Sequence, residues 1–151
     1  DLRYTPSDVY ETLPRPTATT AMEEAGQTLD DLRREIMNER QLGLTSLYKI
    51  VHDPTESSSD IKSLRSSHRQ VDEVIVHAYG WSDLEPTHGF HETRQGTRFL
   101  INPALGREIM DRLLELNHAQ HGREADLRFP RFSGRVRPAQ SIEVAGDDLL
   151  F

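Results

Sequence analysis

Apolar residues recur at helical spacing in four stretches of the chain and alternate in one. Over residues 20–42, Met22, Ala25, Leu29, Leu32 and Ile36 step by three or four and mark one face of a long helix. Glu23 and Glu24 sit in its first turn, where the helix dipole favours acids, and Arg40 lies near its end, with Gly43 the expected C-terminal cap. Asp30, Arg33 and Arg34 fall on the opposite face and read as a solvated surface. "LTSLYKIVHDP" predicts a short second helix capped by Thr45 and stopped by Asp53-Pro54, with Leu47, Ile50 and Val51 pointing inward. His52 at its end reads as a surface histidine, placed where the dipole favours the protonated ring. After the polar loop "TESSSD", Asp60 is the expected cap of a third helix running to Tyr79 and closed by Gly80. Its stripe is Ile61, Leu64, His68, Val71, Val74 or Ile75, and Ala78; His68 and His77, on or beside the stripe, read as hydrogen-bonded packing residues.

The period then changes. Trp81, with Tyr79, is expected to anchor the loop "WSDLEPTHGF" to the core. Residues 89–93 and 97–101 are short and β-prone, and Arg94-Gln95-Gly96 between them predicts a hairpin with glycine where φ must be positive. Phe99 and Ile101 alternate with Arg98 and Leu100, so one face should lie on the helices. A fourth helix comes next, with Asn102 as cap and Pro103 at the first helical position. Ile109, Leu113 and Leu116, with Met110, form its stripe, and Gly122 is its expected end. The fold class is therefore mainly α: a small helical domain of about four helices with one β-hairpin and an irregular C-terminal tail. Residues 1–17, with three prolines, form an extended lead-in, residues 18–122 the helical domain with its hairpin near 89–101, and residues 123–151 a flexible or docking tail.

Composition narrows the function classes. At 151 residues the chain is long enough for one modest domain, and its 35% hydrophobic share is low for a compact one. With no cysteine there is neither a disulfide framework nor a thiolate metal site. No apolar run approaches the roughly 20 residues of a membrane helix, and no signal-peptide pattern opens the chain, so a cytoplasmic protein without membrane partners is expected. A start at Asp1 is that of an excised fragment or processed product. A net charge of −7 argues against tight DNA binding by the whole surface, because phosphate neutralisation supplies most non-specific affinity. Residues 123–138 run the other way, with five arginines against Glu124 and Asp126 and with Phe129 and Phe132 among them: a nucleic-acid arm, or a segment that docks elsewhere on the protein.

The densest candidate chemistry is "THGFHETRQG". His88 and His91 are three apart, a ligand spacing on a helix, but in a strand that spacing points the two rings to opposite faces. His118 and His121 share a helical face with nothing to place them near His88. No nucleophile constellation stands out, and neither phosphate-loop pattern, G-x-x-x-x-G-K-[ST] or G-x-G-x-x-G, occurs. The residues thus predict no catalytic, cofactor-binding or metal site in this chain.

Taken in order, "RYTPSDVYETLPRP", "LRREIMNERQLGLTSLYKIVHDP", "DIKSLRSSHRQVDEVIVHAYGW", "HGFHETRQGTRFLINP" and "LLELNH" resemble the C-terminal part of large bacterial adenine-specific DNA methyltransferases, many of them single-chain restriction–modification or phage-defence enzymes. The resemblance covers roughly residues 3–118 and leaves out the tail. It implies a parent enzyme that moves a methyl group from S-adenosylmethionine to the N6 of adenine in duplex DNA, with the target base flipped into a pocket. The family's F-x-G-x-G-like cofactor loop and N-P-P-Y catalytic loop are both missing here; "NPAL" at Asn102 lacks the second proline and the aromatic. The resemblance accordingly implies the end of a target-recognition region, about residues 3–16, and the helical segment after it, packed on the remainder of the parent and reaching duplex DNA through it.

At the hairpin tip, Arg94, Gln95 and Arg98 are the residues expected to contact DNA, since arginine and glutamine suit guanine and adenine edges or phosphates. The competing reading is a structural hairpin whose Arg94 and Glu92 are solvated or paired with a helix. Two functions are open: a non-catalytic accessory domain supporting target recognition, or a helical protein-interaction module with no DNA role, using the stripes of the first and fourth helices. A histidine-based metal hydrolase is a distant third.

Overall fold

A computed structural model describes residues 13–128, with side chains as far as Arg123. The described chain folds into four helices and one two-stranded antiparallel hairpin, in the order α1 (Thr20–Glu39), α2 (Leu44–Val51), α3 (Ser59–Ala78), β1 (His88–Thr93), β2 (Gly96–Ile101) and α4 (Pro103–Arg128). This is the mainly α architecture that the hydrophobic spacing predicts. The lead-in 1–12 and the tail from 129 lie outside the described residues.

Helices α1 and α3 form an antiparallel pair. Arg40, the C-cap of α1, reaches the start of α3, while Thr19 and Ala21 share a concavity with Val74, His77 and Ala78 at the other end. The short α2 closes one end of the pair. Ile36, Leu47, Val51, Ile61 and Leu64, each at most 1% exposed, make the core, with Leu29, Leu32, Met37, Tyr48 and Ile50 around it. Burying each such side chain contributes about 1.5–3 kcal/mol. Ala25 and Val76 extend this seam, and the predicted stripes of α1 and α2 face it. On α3 the stripe is displaced: Arg65, Ser67 and Val76 are buried, whereas Val71, Val74, Ile75 and Ala78 are only partly so.

Several helix ends differ from expectation, each for a local reason. Helix α1 stops at Glu39, not at Leu42. Gln41 takes the left-handed conformation (φ 53°), and the Leu42 amide donates to the Met37 carbonyl at 2.9 Å, closing a Schellman turn without glycine. Gly43 is instead the extended N-cap of α2, and Thr45 lies inside that helix. Asp60 does not cap α3, whose N-cap is Ser58. Its carboxylate takes two hydrogen bonds from the Arg40 guanidinium at 2.7 Å each, which hold it down at about 2. Gly80 (φ 78°) closes α3 as predicted, with the Trp81 amide donating to the Val76 carbonyl.

Helix α4 begins as the sequence indicates, with Asn102 Oδ1 accepting from the Ala104 amide. It does not end at Gly122 but continues to Arg128. Its 26 residues span about 39 Å. Leu105, Ile109, Arg112 and Leu113 turn partly inward, while Met110 (66% exposed) and Leu114 (56%) face solvent. Met110 and Leu116 therefore do not belong to a buried stripe. The helix is held at Arg112, which pairs with both oxygens of Asp83 and with Glu108 and lies over the Trp81 ring, 5.7 Å from its centroid. Trp81 in turn stacks on Tyr79 (4.6 Å, 13°), whose hydroxyl donates to the Pro14 carbonyl, so the pair anchors this loop as expected.

Candidate functional site

The hairpin carries the residues singled out in the sequence. Its register pairs His88 with Ile101, Phe90 with Phe99, and Thr93 with Gly96. Arg94 and Gln95 form the turn, and Gly96 (φ 95°) supplies the positive φ that matches an ordinary turn to the strand twist. Thr93 fixes the turn from its side chain: its hydroxyl accepts from the Gln95 amide and donates to the Gly96 carbonyl. Phe99 is buried and Leu100 is 41% exposed, the predicted alternation.

All three tip candidates, Arg94, Gln95 and Arg98, line one open concavity of about 490 Å³, together with His52, Thr93 and Leu100. Arg94 and Gln95 are exposed, and among the described residues the Arg94 side chain has neither a hydrogen bond nor an ion pair. The Arg98 guanidinium makes one long contact, 3.5 Å to the Gln95 carbonyl. Glu92 accepts a short hydrogen bond from the Thr97 hydroxyl and neutralises neither arginine. Among the described residues no carboxylate pairs with Arg94 or Arg98, so two cations and an amide face the open concavity.

What holds this tip in place was not legible in the sequence. The inner face of the hairpin meets α2 and α3 along a seam of polar groups around a cavity of about 260 Å³, lined by Tyr48, His52, His68, Asp72 and His88 with Val51 and Phe99 to Ile101. The Phe99 amide donates to His52 Nδ1 at 3.1 Å. His88, its side chain 3% exposed, stacks on Phe99 and donates from Nε2 to Asp72 Oδ2 at 2.7 Å. His68 Nε2 is hydrogen-bonded to the Tyr48 hydroxyl at 2.9 Å, the packing role expected of it. His77 is exposed. Burial pulls His52 below its ordinary value, assisted by Arg98, His68 and Arg65; burial does the same to His68. The expectation that His52 is a surface residue favoured as a cation by the helix dipole is therefore overturned. Its Nδ1 is an acceptor, so the ring is neutral, and desolvation together with the nearby Arg98 and Arg65 guanidinium groups works against the dipole.

Arg65 is the second residue that pattern reading missed. It is 7% exposed and donates to four backbone carbonyls, those of Ile50, Val51, Asp53 and Glu56. The Ile50 and Asp53 carbonyls also accept the backbone amides of Asp53 and Glu56, whereas among the described residues those of Val51 and Glu56 take their hydrogen bond from the guanidinium alone. The same group lies over the Phe90 ring at 4.8 Å, while Arg69 lies 5.2 Å over Phe99. Arg65 thus joins the helical core to the hairpin.

His88 and His91 are not brought together: the first belongs to the seam and the second to the other side of β1. Among the described residues, no group of three or more histidine, aspartate or glutamate side chains is placed to hold a metal ion. No described helix is long and apolar enough to cross a membrane. Comparison with protein-family models, curated proteins and solved structures gave no match to this chain.

Proposed function

We propose that this chain is a non-catalytic accessory domain at the C-terminal end of a site-specific adenine DNA methyltransferase of restriction–modification or phage-defence type, working in the bacterial cytoplasm. In this reading it supports target recognition and offers duplex DNA one small contact. S-adenosylmethionine and the catalytic loop belong to the remainder of the parent, which is also the domain's protein partner. The resemblance in sequence motivates the class. The observation that carries the contact is the hairpin tip, where Arg94 and Arg98 flank Gln95 in an open concavity in which no described carboxylate pairs them. Guanidinium groups in that setting suit phosphates or a guanine edge, and the glutamine amide suits adenine. The −7 net charge of the whole chain fits a domain that offers DNA a local contact and leaves most of the affinity to the parent.

The test is methyl transfer to duplex DNA by the full-length enzyme and by its Arg94→Ala/Arg98→Ala variant. The expected result is a KM for DNA raised about tenfold or more, the size of one to two lost charged contacts, with S-adenosylmethionine binding unchanged. An unchanged KM for DNA removes the tip from the mechanism, and a parent with no methyl transfer at all removes the class. The second reading, a protein-interaction module without a DNA role, is favoured by a different observation: the outward apolar side chains Met110 and Leu114 on α4.

A further inference from the structure

The seam between hairpin and helices is built from titratable groups, and one of them bonds to the backbone of the hairpin itself. His52 Nδ1 accepts from the Phe99 amide, at the position where β2 passes the end of α2. A protonated imidazole has no acceptor. Adding a proton would set two N–H groups against each other at 3.1 Å and remove the only hydrogen bond between α2 and the β2 backbone that the described residues show. We infer that the hairpin is docked through a proton-sensitive joint, in which neutral His52 latches the Phe99 backbone and protonated His52 releases it.

The surroundings of His52 reinforce that sense. From the hairpin, Arg98 faces it, with Arg94 lining the same tip concavity. From α3 come Arg65 and His68, with Arg69 over the Phe99 ring. From α2 itself comes Tyr48, its ring centroid 6.1 Å away, and Asp53 is next in sequence with its carboxylate turned to Thr55. The remaining carboxylate in the cavity, Asp72, is taken by His88. Cations therefore outnumber free anions around the ring, and a new positive charge there is repelled as well as unbonded. The burial that lowers the affinity of His52 for a proton in the docked state is lost on release. With a docked pKa below the ordinary value, the latch is complete above about pH 6.5 and weakens as pH falls below it.

His52 also lines both cavities, the seam and the tip concavity that holds Arg94, Gln95 and Arg98. Release therefore changes how the tip is presented, whatever ligand the tip takes. The joint does not depend on the DNA reading.

The experiment is amide hydrogen exchange of Phe99 in the 151-residue chain, corrected for intrinsic exchange, at about pH 7.5 and about pH 5.5. A released histidine of ordinary pKa is about nine-tenths protonated at the lower pH, so the protection of Phe99 is expected to fall, by at most about tenfold. Amides in the middle of α3 should keep theirs. His52→Asn places an amide oxygen near the Nδ1 position and does not titrate; it should retain Phe99 protection at the higher pH and lose the pH dependence. Should that variant fail to fold, nuclear magnetic resonance titration of the native His52 ring gives an independent reading, with a midpoint below the ordinary value expected. Phe99 protection that is flat with pH in the native chain, the same fall in His52→Asn, or a His52 ring that titrates at or above its ordinary value would each overturn the inference.

Discussion

Helix α2 has two neighbours and meets them by opposite means. Toward α1 and α3 it buries Leu47 and Val51 in a dry apolar core with Ile36, Ile61 and Leu64. Toward the hairpin it offers the His52 ring, which accepts the Phe99 amide beside a cavity edged by polar side chains. Apolar burial is non-directional and indifferent to pH, so the first joint is the one that holds the fold. Hydrogen bonds are directional and individually contribute only about 0.5–1.5 kcal/mol net, so the second joint orients more than it stabilises. The part of the molecule with its cations free, the hairpin tip, is thereby mounted on its weaker and more adjustable joint.

The largest expected effect lies in the dry joint. Leu64→Ala, at a fully buried position, should cost about 2–5 kcal/mol in denaturant unfolding and lower the stability of the whole domain. Phe99→Ala should instead loosen the hairpin, seen as lost amide protection in β1 and β2, while α1 to α3 keep most of theirs. A uniform loss of protection in both variants would erase the distinction between the joints.

Arg65 spans both joints, and its replacement is next in size. Arg65→Met keeps a long side chain but leaves the carbonyls of Val51 and Glu56 without a donor and removes the second donor of Ile50 and Asp53. The expected cost is about 3 kcal/mol in equilibrium unfolding, with hairpin amides exchanging faster as well, because the cation over Phe90 is gone. A loss well under about 1 kcal/mol would mean that water replaces the guanidinium at no penalty.

The smallest effects contrast two helix ends of one geometry. Gly80 and Gln41 both hold the left-handed position of a Schellman turn, one with glycine and one without. Gly80→Ala should lose about 1 kcal/mol, and Gln41→Gly should gain up to about 1 kcal/mol, both by thermal unfolding.

These residues also show what a sequence can reveal here. The stripes of α1 and α2, the Asn102 cap, Gly80 and the hairpin were legible because each signal lies within a few positions of its consequence. The misplaced ends were not: Gly43 sat two residues from the left-handed position, but Gln41 occupied it. The tip residues Arg94, Gln95 and Arg98 were legible as a group because a turn holds them adjacent. His52 and Arg65 were not, since their partners are 47 and 9 to 15 positions away, and a histidine or arginine at a helix surface looks the same whether it meets water or a distant strand. On α4, periodicity marked Met110 as buried, but the described chain supplies nothing to cover it.

The most direct test of the account is the salt dependence of duplex-DNA binding by the full-length protein, native against Arg94→Ala/Arg98→Ala. If both guanidinium groups meet phosphates, the variant should bind more weakly, and its slope of log affinity against log salt should be shallower by about 1.8, at about 0.9 for each lost contact. Equal affinity and an equal slope in the two proteins would contradict the claim that the hairpin tip touches DNA.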